Sequence, residues 1–407
     1  MVSYGLIIFC IITLSINSIL CYVPEPRINH NSLIIHNRLL VFGGWKIDES
    51  ANVSYSEMFY LDLTKPFDSK TKPWILVEGG YLPVYISLST AIVSTLDYDI
   101  IYLIGGYRRN ITTDKNDNSD LVYMYNYSTT RWTSQKVENA TPRQAIMGVI
   151  NNEGTIYMFG GSNSTTVYND MQIFKVSTMD WSKLNIIYNL PLPCFAYTAN
   201  ILTNRIIVYI GGTDKEGQYL SMKTIRLFDT LKSEWAQMNV IGGDDITPRS
   251  YHSSVLTTDG YIILYGGLGL DETTDPKLAI LDTNKEIYEW TIPALSGSSP
   301  HLYGHTANLY GNYMIVTFGY DGDISNMSSQ IYLFDVSNYT WVTTFNPSPP
   351  ITTEPTETNV TTKSALRIGL GVAGGVVLII LVSIGVIVFR RYGTKPHTPI
   401  LKISGTK

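Results

Sequence analysis

Few residues in this chain have the types and spacing that enzyme chemistry requires. The segment GLGVAG (Gly369–Gly374) is a formal G-x-G-x-x-G, a pattern that binds a pyrophosphate when it joins a soluble strand to a helix. Here it lies inside a long apolar stretch, so dinucleotide binding is not expected. Zinc-ligand spacing, a nucleophile elbow and a paired-carboxylate segment are absent from the sequence. The dibasic pair Arg108–Arg109 is interpreted as part of a solvated loop.

Both ends of the chain carry apolar segments typical of membrane targeting. The run from Leu6 to Leu20 has the length of a signal-peptide core, and residues 1–21 are predicted to be a signal peptide. Ile368 to Phe389 is 22 residues without a charge, long enough to cross a bilayer. A transmembrane helix is therefore predicted at residues 365–389.

The residues after this span indicate its orientation. The tail, residues 390–407, contains five Lys or Arg and no acidic residue, so it is predicted to be cytoplasmic. The formal net charge is −5, and removing the five basic tail residues leaves 24 basic and 34 acidic residues, a charge of −10. This balance argues against a nucleic-acid partner. The chain is predicted to be a single-pass type I protein of the plasma membrane or another secretory-pathway membrane.

Small residues inside the span suggest one further contact. Gly371 and Gly375 form a G-x-x-x-G pair, which permits two membrane helices to pack closely and form a weak homodimer.

Sequons and cysteines agree with an extracellular or lumenal domain. Eight N-x-S/T sequons precede the span: Asn52, Asn110, Asn126, Asn139, Asn163, Asn326, Asn338 and Asn359. Cys10 and Cys21 lie in the predicted signal peptide, which leaves Cys194 without a partner for an internal disulfide. We expect Cys194 to be a buried small hydrophobe.

Between the two apolar ends, a pattern of about 50 residues recurs six times, as in repeat architectures. Each repeat has an apolar strand followed by paired glycines, in five copies: Gly43 and Gly44, Gly105 and Gly106, Gly160 and Gly161, Gly211 and Gly212, Gly266 and Gly267. In a sixth, degenerate copy, MIVTFGY, Tyr320 is taken to replace the second glycine. Each repeat also has one tryptophan: Trp74, Trp132, Trp181, Trp235, Trp290 and Trp341.

The repeats predict an all-β domain built from radially arranged sheets. Each repeat supplies four short strands, a to d, with strand b ending in the glycines and the tryptophan on strand d. Strand b is apolar on both alternations, for example from Ile156 to Phe159, so both faces of each sheet must be covered by neighbouring sheets.

These residues resemble the kelch repeat, over residues 22–345. The resemblance implies a six-bladed β-propeller, often closed in the family by a strand shared between the chain ends. Here the first repeat has its own strand a, so the sequence does not show how the ring closes. Residues 346–364 are rich in Pro and Thr and are predicted to be an extended stalk.

The resemblance also extends to copper radical oxidases of the galactose oxidase type, which is the alternative function. That chemistry needs two histidines, two tyrosines and a cysteine cross-linked to one tyrosine. Candidate residues are His30, Cys194, Tyr251, His252, His301 and His305. His30 and His252 occupy the same place in their repeats, however, so the repeat itself accounts for both. A sialidase is disfavoured because its S-x-D-x-G-x-x-W box is absent. We expect a non-catalytic module without a cofactor.

The strand order predicts where a partner binds. The b–c loops and d–a links lie on one face, and they are longer than the a–b turns on the other. Four sequons fall in the b–c loops of repeats one, two, three and six, so repeats four and five would be free of glycans. Their loops carry the candidate binding residues Asp214, Lys215, Glu216, Asp244, Asp245, Asp271, Glu272 and Asp275.

The predicted partner is an extracellular protein or glycan, and an acidic surface of this kind suits a basic protein or a divalent cation. Because strand d runs toward the b–c loops, the stalk is expected to leave from that same face.

Overall fold

The computed structural model describes residues 22–47, 53–138, 140–270 and 274–347. The predicted signal peptide, transmembrane helix and cytoplasmic tail lie outside these ranges, as do Gly371 and Gly375 and most of the predicted stalk. Within the described ranges, no helix is long and apolar enough to cross a membrane.

The all-β prediction is confirmed: the described residues form six four-stranded antiparallel sheets, each from one continuous segment of chain. We number the sheets 1 to 6 in chain order and name the strands a to d within each. The 3₁₀ turn Gly243–Asp245 links sheet 4 to sheet 5.

The first three sheets occupy the N-terminal half of the domain. Sheet 1 has strands Asn31–Ile35, Arg38–Phe42, Met58–Asp62 and Ile75–Leu76. Sheet 2 has strands Val84–Val93, Ile100–Asn110, Val122–Asn126 and Arg131–Gln135. Sheet 3 has strands Gly148–Ile150, Thr155–Phe159, Met171–Lys175 and Asp180–Lys183.

The other three sheets follow the same order. Sheet 4 has strands Thr198–Ile201, Ile206–Ile210, Thr224–Asp229 and Glu234–Asn239. Sheet 5 has strands Ser253–Leu256, Tyr261–Tyr265, Leu278–Asp282 and Glu289–Thr291. Sheet 6 has strands Thr306–Tyr310, Tyr313–Thr317, Ile331–Asp335 and Thr340–Val342.

Short two-residue strands extend the loops. They form the pair Trp45–Lys46 and Val53–Ser54, the pair Cys194–Phe195 and Thr213–Asp214, the trio Leu302–Tyr303, Tyr320–Asp321 and Asn326–Met327, and the pair Phe67–Asp68 and Thr344–Phe345. We call the side with the b–c loops and d–a links the long-loop face, and the side with the a–b and c–d turns the short-turn face.

Each strand a contacts the strands a of two neighbouring sheets, and sheet 6 returns to sheet 1. A ring of six backbone hydrogen bonds joins the residues just before or within these strands. Every N–H donates to the carbonyl of the preceding sheet, over 2.8 to 3.0 Å: Asn29 to Gly304, Leu88 to Asn29, Ala145 to Leu88, Ala196 to Ala145, Tyr251 to Ala196 and Gly304 to Tyr251. All six donors have positive φ, between 53° and 62°.

The paired glycines form a second ring of contacts. The N–H of the second glycine donates to a carbonyl of the next sheet, as Gly44 does to Ile86 over 2.8 Å. The first glycine has no room for a side chain, because a Cβ on Gly43 would lie 2.7 Å from the same carbonyl oxygen. Strand b of sheet 2 was predicted to end at its glycines, but it continues to Asn110. It does so because strand a is long enough to pair with it.

The interpretation of the sixth repeat was wrong by one position. Strand b of sheet 6 ends at Thr317, so Phe318 and Gly319 take the two glycine positions, with φ of 56° and 100°. Phe318 therefore replaces the first glycine, and Tyr320 begins the next short strand. The Phe318 ring packs edge-on against His30 at the junction between sheets 6 and 1.

A ladder between two short strands closes the ring. Phe67–Asp68, between strands c and d of sheet 1, pairs with Thr344–Phe345 after strand d of sheet 6. The Phe67 and Phe345 rings stack with centroids 4.9 Å apart. Because each of sheets 1 to 6 takes its strands from one segment, this ladder replaces the shared strand that the resemblance suggested.

The core consists of six apolar clusters, and each lies between two neighbouring sheets. In strand b of sheet 3, Ile156 and Met158 face sheet 2, while Tyr157 and Phe159 face sheet 4. Five of the repeat tryptophans lie on strand d, and Trp74 directly precedes one. Neighbouring sheets therefore cover both faces of each sheet.

Candidate functional site

The described members of the predicted acidic group lie on the long-loop face. Asp214, Lys215 and Glu216 belong to the b–c loop of sheet 4, whereas Asp244 and Asp245 form the 3₁₀ turn that links sheet 4 to sheet 5. Asp275 lies in the b–c loop of sheet 5 and is exposed. Asp271 and Glu272 lie outside the described residues.

Several of these carboxylates already have partners. Asp214 Oδ1 accepts the backbone N–H of Glu216 over 2.9 Å and that of Gln218 over 2.8 Å. Asp244 forms an ion pair with Lys223. In the ranges that the structure covers, no group of three His, Cys, Asp or Glu side chains could hold a metal ion, so nothing here favours the divalent-cation alternative.

Large exposed apolar side chains, which were not predicted, occur in the links and loops around sheets 4 and 5. Ile187, Tyr188 and Leu192, in the link from sheet 3 to sheet 4, are 72%, 77% and 67% exposed. Ile241 and Leu270, in the next link and loop, are 52% and 74% exposed. The signal in the sequence was the charge-free run LNIIYNLPLP, residues 184–193, at a surface link.

Five sequons fall in described parts of the chain and occur on both faces. Asn110, Asn163 and Asn326 lie at long loops, whereas Asn126 ends strand c of sheet 2 and Asn338 lies in the c–d turn of sheet 6. All five are partly or fully exposed. Asn52, Asn139 and Asn359 lie outside the described residues.

The described chain ends near the short-turn face, whereas the stalk was expected to leave from the long-loop face. After strand d of sheet 6 the chain turns back, and Phe345 and Pro347 line a small cavity with Tyr310, Gly311 and Tyr313. Those three residues surround the a–b turn of sheet 6. The reason is the closing ladder, which pulls the chain toward Phe67. The long-loop face is therefore the face away from this exit.

Histidines with unusual pKa values are part of the scaffold. His30, His252 and His305 take the same position in sheets 1, 5 and 6, and each ring reaches a hydroxyl of the preceding sheet: His252 Nε2 is 3.1 Å from Thr198 Oγ1 and His305 Nε2 is 2.8 Å from Ser253 Oγ. Burial lowers the pKa of both His252 and His305 to about 3, and that of His30 well below its ordinary value. These rings are therefore neutral and join adjacent sheets.

Cys194 also has a structural partner. Its thiol accepts a hydrogen bond from Arg226 Nη1 over 2.8 Å, and burial raises the pKa of the thiol. Cys194 is fully buried and free, as expected of a small core residue. His252, His305 and Cys194, three of the candidate ligands of the copper oxidase, therefore have structural partners.

Buried arginines also belong to the scaffold. Arg27, Arg143 and Arg249 donate from Nη1 to the carbonyl of the first glycine in their own sheets, over 3.1, 2.8 and 3.1 Å. Arg108 is 2% exposed and donates to the carbonyl of Asp120, so its assignment to a solvated loop was wrong. Its side chain turns inward because strand b of sheet 2 extends beyond the glycines.

The ring of radially packed four-stranded sheets, with paired glycines after strand b and tryptophans on strand d, defines a kelch-type β-propeller. Residues 101–376, more than half of the 407, match the Attractin/LZTR1 beta-propeller family. The chain belongs to this family.

Curated relatives share this region at low identity. The chain is 24% identical to protein tag-53 of Caenorhabditis elegans over 60% of its own length and 19% of that protein. It is also 24% identical to Kelch domain-containing protein 3 of Rattus norvegicus, over 59% and 64%, and to the Rab9 effector protein with kelch motifs of Mus musculus, over 42% and 44%. In each comparison the chain covers less than two thirds of the relative.

Proposed function

We propose that this chain is a binding protein of the plasma membrane or another secretory-pathway membrane, and that its propeller recognises an extracellular or lumenal protein. We infer that the six sheets are the six blades of one propeller, followed by a stalk, a single transmembrane helix and a cytoplasmic tail. Recognition belongs to the long-loop face at sheets 4 and 5.

The observation that carries this proposal is that the links and loops around sheets 4 and 5 carry both exposed apolar and exposed acidic side chains. Large apolar side chains that remain exposed next to polar ones are typical of protein interaction sites. Ile187, Tyr188 and Leu192 would supply buried contact area, and Asp245 and Asp275 would attract a basic rim. The partner is therefore a protein surface with apolar side chains flanked by Lys or Arg.

The chain exit supports the same assignment. Pro347 lies near the a–b turn of sheet 6, on the short-turn face, and not among the loops of the proposed surface. N-linked glycans at Asn110, Asn163 and Asn326 would cover other sectors of the long-loop face. The name of the Rab9 effector with kelch motifs indicates that a relative of this propeller acts through protein binding.

A binding screen with matched variants tests the proposal. The domain is screened against an array of secreted and membrane ectodomains, and each partner is measured against Tyr188→Asp/Leu192→Asp. We expect binding to weaken at least tenfold in this variant. The control, Leu231→Asp, changes a residue that is 69% exposed on the short-turn face and should bind normally. Equal binding by all three proteins would contradict the proposed surface.

Topology is tested separately. An epitope at the C-terminus should survive protease treatment of intact cells, whereas an epitope inserted after Tyr22 should be removed. Loss of the C-terminal epitope would contradict the cytoplasmic tail.

A further inference from the structure

The six strands a enclose a cavity of about 190 Å³ on the axis of the ring. The described residues that line it include no Lys, Arg, Asp or Glu. The three histidines among them are neutral for the reason given above. The cavity therefore offers no charged group to a ligand, and an ion entering it would lose its hydration without compensation.

The wall of the cavity combines apolar and polar groups. Sheets 2, 3 and 4 contribute the small or apolar residues Leu88, Ala91, Ala145, Met147 and Ala196, together with the hydroxyl groups of Ser89, Thr90 and Thr198. Sheets 5, 6 and 1 contribute mainly hydroxyl and amide groups, namely Ser253, Ser254, Thr306, Asn31 and Ser32. A ligand that fits this wall has apolar C–H surface and several polar groups.

Two buried hydroxyl groups in this wall can still donate a hydrogen bond. Thr90 Oγ1 accepts the N–H of Gly148 over 3.0 Å, and Ser254 Oγ accepts from Asn200 Nδ2 over 2.7 Å. Within the described part of the chain, neither hydroxyl hydrogen has an acceptor. Thr90 and Ser254 are only 6% and 7% exposed, and they lie on sheets 2 and 5, across the axis from each other. Ser89 is partly exposed, and its Oγ likewise accepts a hydrogen bond, from Asn31 Nδ2 over 2.8 Å.

We propose that the axial cavity binds one uncharged, polyhydroxylated ring, a neutral sugar. Hydroxyl oxygens of the sugar accept from Ser89, Thr90 and Ser254, and its C–H groups contact apolar wall residues such as Leu88 and Met147. A closed cavity of about 150 Å³ holds one benzene molecule, so 190 Å³ has room for a single six-membered ring. This inference goes beyond the proposed function, because it does not depend on the protein partner or on the long-loop face.

The test uses sugars of equal size and different charge. The purified full-length chain is titrated with the methyl glycosides of glucose, galactose and mannose, and with glucosamine and glucose 6-phosphate, by ligand-observed NMR. We expect at least one neutral glycoside to bind saturably, and both charged analogues to bind at least tenfold more weakly. No binding by any neutral glycoside, or equal binding by a charged analogue, would overturn the proposal.

Variants then locate the site. Ser254→Ala and Ser89→Ala each remove one donor from opposite walls and should weaken binding about threefold to tenfold, the usual loss for one neutral hydrogen bond. Ser182→Ala, an exposed serine on strand d of sheet 3, is the matched control and should bind normally. Unchanged binding by both cavity variants, each with a wild-type melting temperature, would overturn the assignment.

A disaccharide distinguishes a sugar at the end of a glycan from a free monosaccharide. If the cavity takes the end of a glycan, maltose should bind as tightly as the methyl glucoside; if it takes a free monosaccharide, maltose should bind more weakly. If maltose binds the double variant Ser89→Ala/Ser254→Ala as tightly as the wild type, neither a glycan end nor a free monosaccharide occupies the cavity as proposed.

Discussion

Around the axis the same contacts recur in all six sheets, whereas the loops of the long-loop face differ from one sheet to the next. The interior repeats because each sheet must fit the same two neighbours, through the ring that includes Asn29 and Ala196 and through the paired glycines. The loops face solvent and have no such constraint, so each can carry its own side chains. The difference teaches that changes in the interior should affect stability, and changes on the long-loop face should affect binding.

The largest effect is expected from a tryptophan in the interior. Trp235 is 3% exposed and packs against Phe159, Tyr209 and Phe228. Trp235→Ala should lower the free energy of unfolding by about 3–5 kcal/mol, measured by urea denaturation. Trp181→Ala, at a partly exposed tryptophan, should cost clearly less. An unchanged unfolding midpoint for Trp235→Ala would show that the interior is wrongly described.

The closing junction should respond almost as strongly. Phe345 is fully buried between Phe67 and Tyr313, although it lies close to the end of the described chain. Phe345→Ala should cost about 3 kcal/mol, at the lower end of values for a buried phenylalanine. The neighbouring exposed residue provides the control, Asn346→Ala, which should be neutral. Equal stability of the two variants would mean that the ladder does not close the ring.

Acid should weaken the junctions that contain histidine. The pKa of His252 and of His305 falls from an ordinary 6.5 to about 3 in the folded protein, so below pH 6.5 the unfolded chain binds protons that the native state does not. Stability should therefore fall as the pH decreases, by about 2 kcal/mol per histidine between pH 6.5 and 5. Carboxylates with lowered pKa values lose their contribution nearer pH 4, outside this window.

The variant His252→Gln separates this contribution. This variant should lower the slope of the unfolding free energy against pH by the amount that one proton contributes. Urea denaturation at several pH values measures the slope. Stability that does not change from pH 6.5 to 5 in the wild type would contradict the buried, neutral histidines.

The smallest effect on stability is expected at the long-loop face. Asp244 is exposed and pairs with Lys223, and such surface pairs contribute about 0–1 kcal/mol. Asp244→Ala should therefore change the free energy of unfolding by less than about 0.5 kcal/mol, while it weakens partner binding. A loss of several kcal/mol would place Asp244 in the scaffold.

The same contrast explains what the sequence could predict. Paired glycines, tryptophans and apolar strands recur because packing demands them, so the all-β kelch-type propeller was predictable. The exceptions occur where a local contact overrides the repeat. Phe318 takes a glycine position because it fills the closing junction, and Phe67 pairs with a strand almost 280 residues away. No local sequence pattern predicts a pairing between segments that are so far apart in the sequence.

The candidate site was less predictable for a related reason. Acidic loop residues could be assigned to a face from strand order alone, but the exposure of Ile187 and Tyr188 depends on how their link runs over the surface. Burial of Arg108 likewise depends on the length of a neighbouring strand. Side-chain environments in loops are set by tertiary contacts that periodicity does not encode.

The most direct test of recognition by the long-loop face places a new glycan on each face in turn. Gly217→Asn/Tyr219→Thr creates a sequon in the b–c loop of sheet 4, where a Cβ on Gly217 meets nothing within 4 Å. Glu153→Asn creates one with Gly154 and Thr155 in the a–b turn of sheet 3. With both glycans verified by mass spectrometry, binding of a partner from the ectodomain array should be lost in the first variant and retained in the second. Binding that survives the glycan at position 217, and is lost with the one at position 153, would contradict the account.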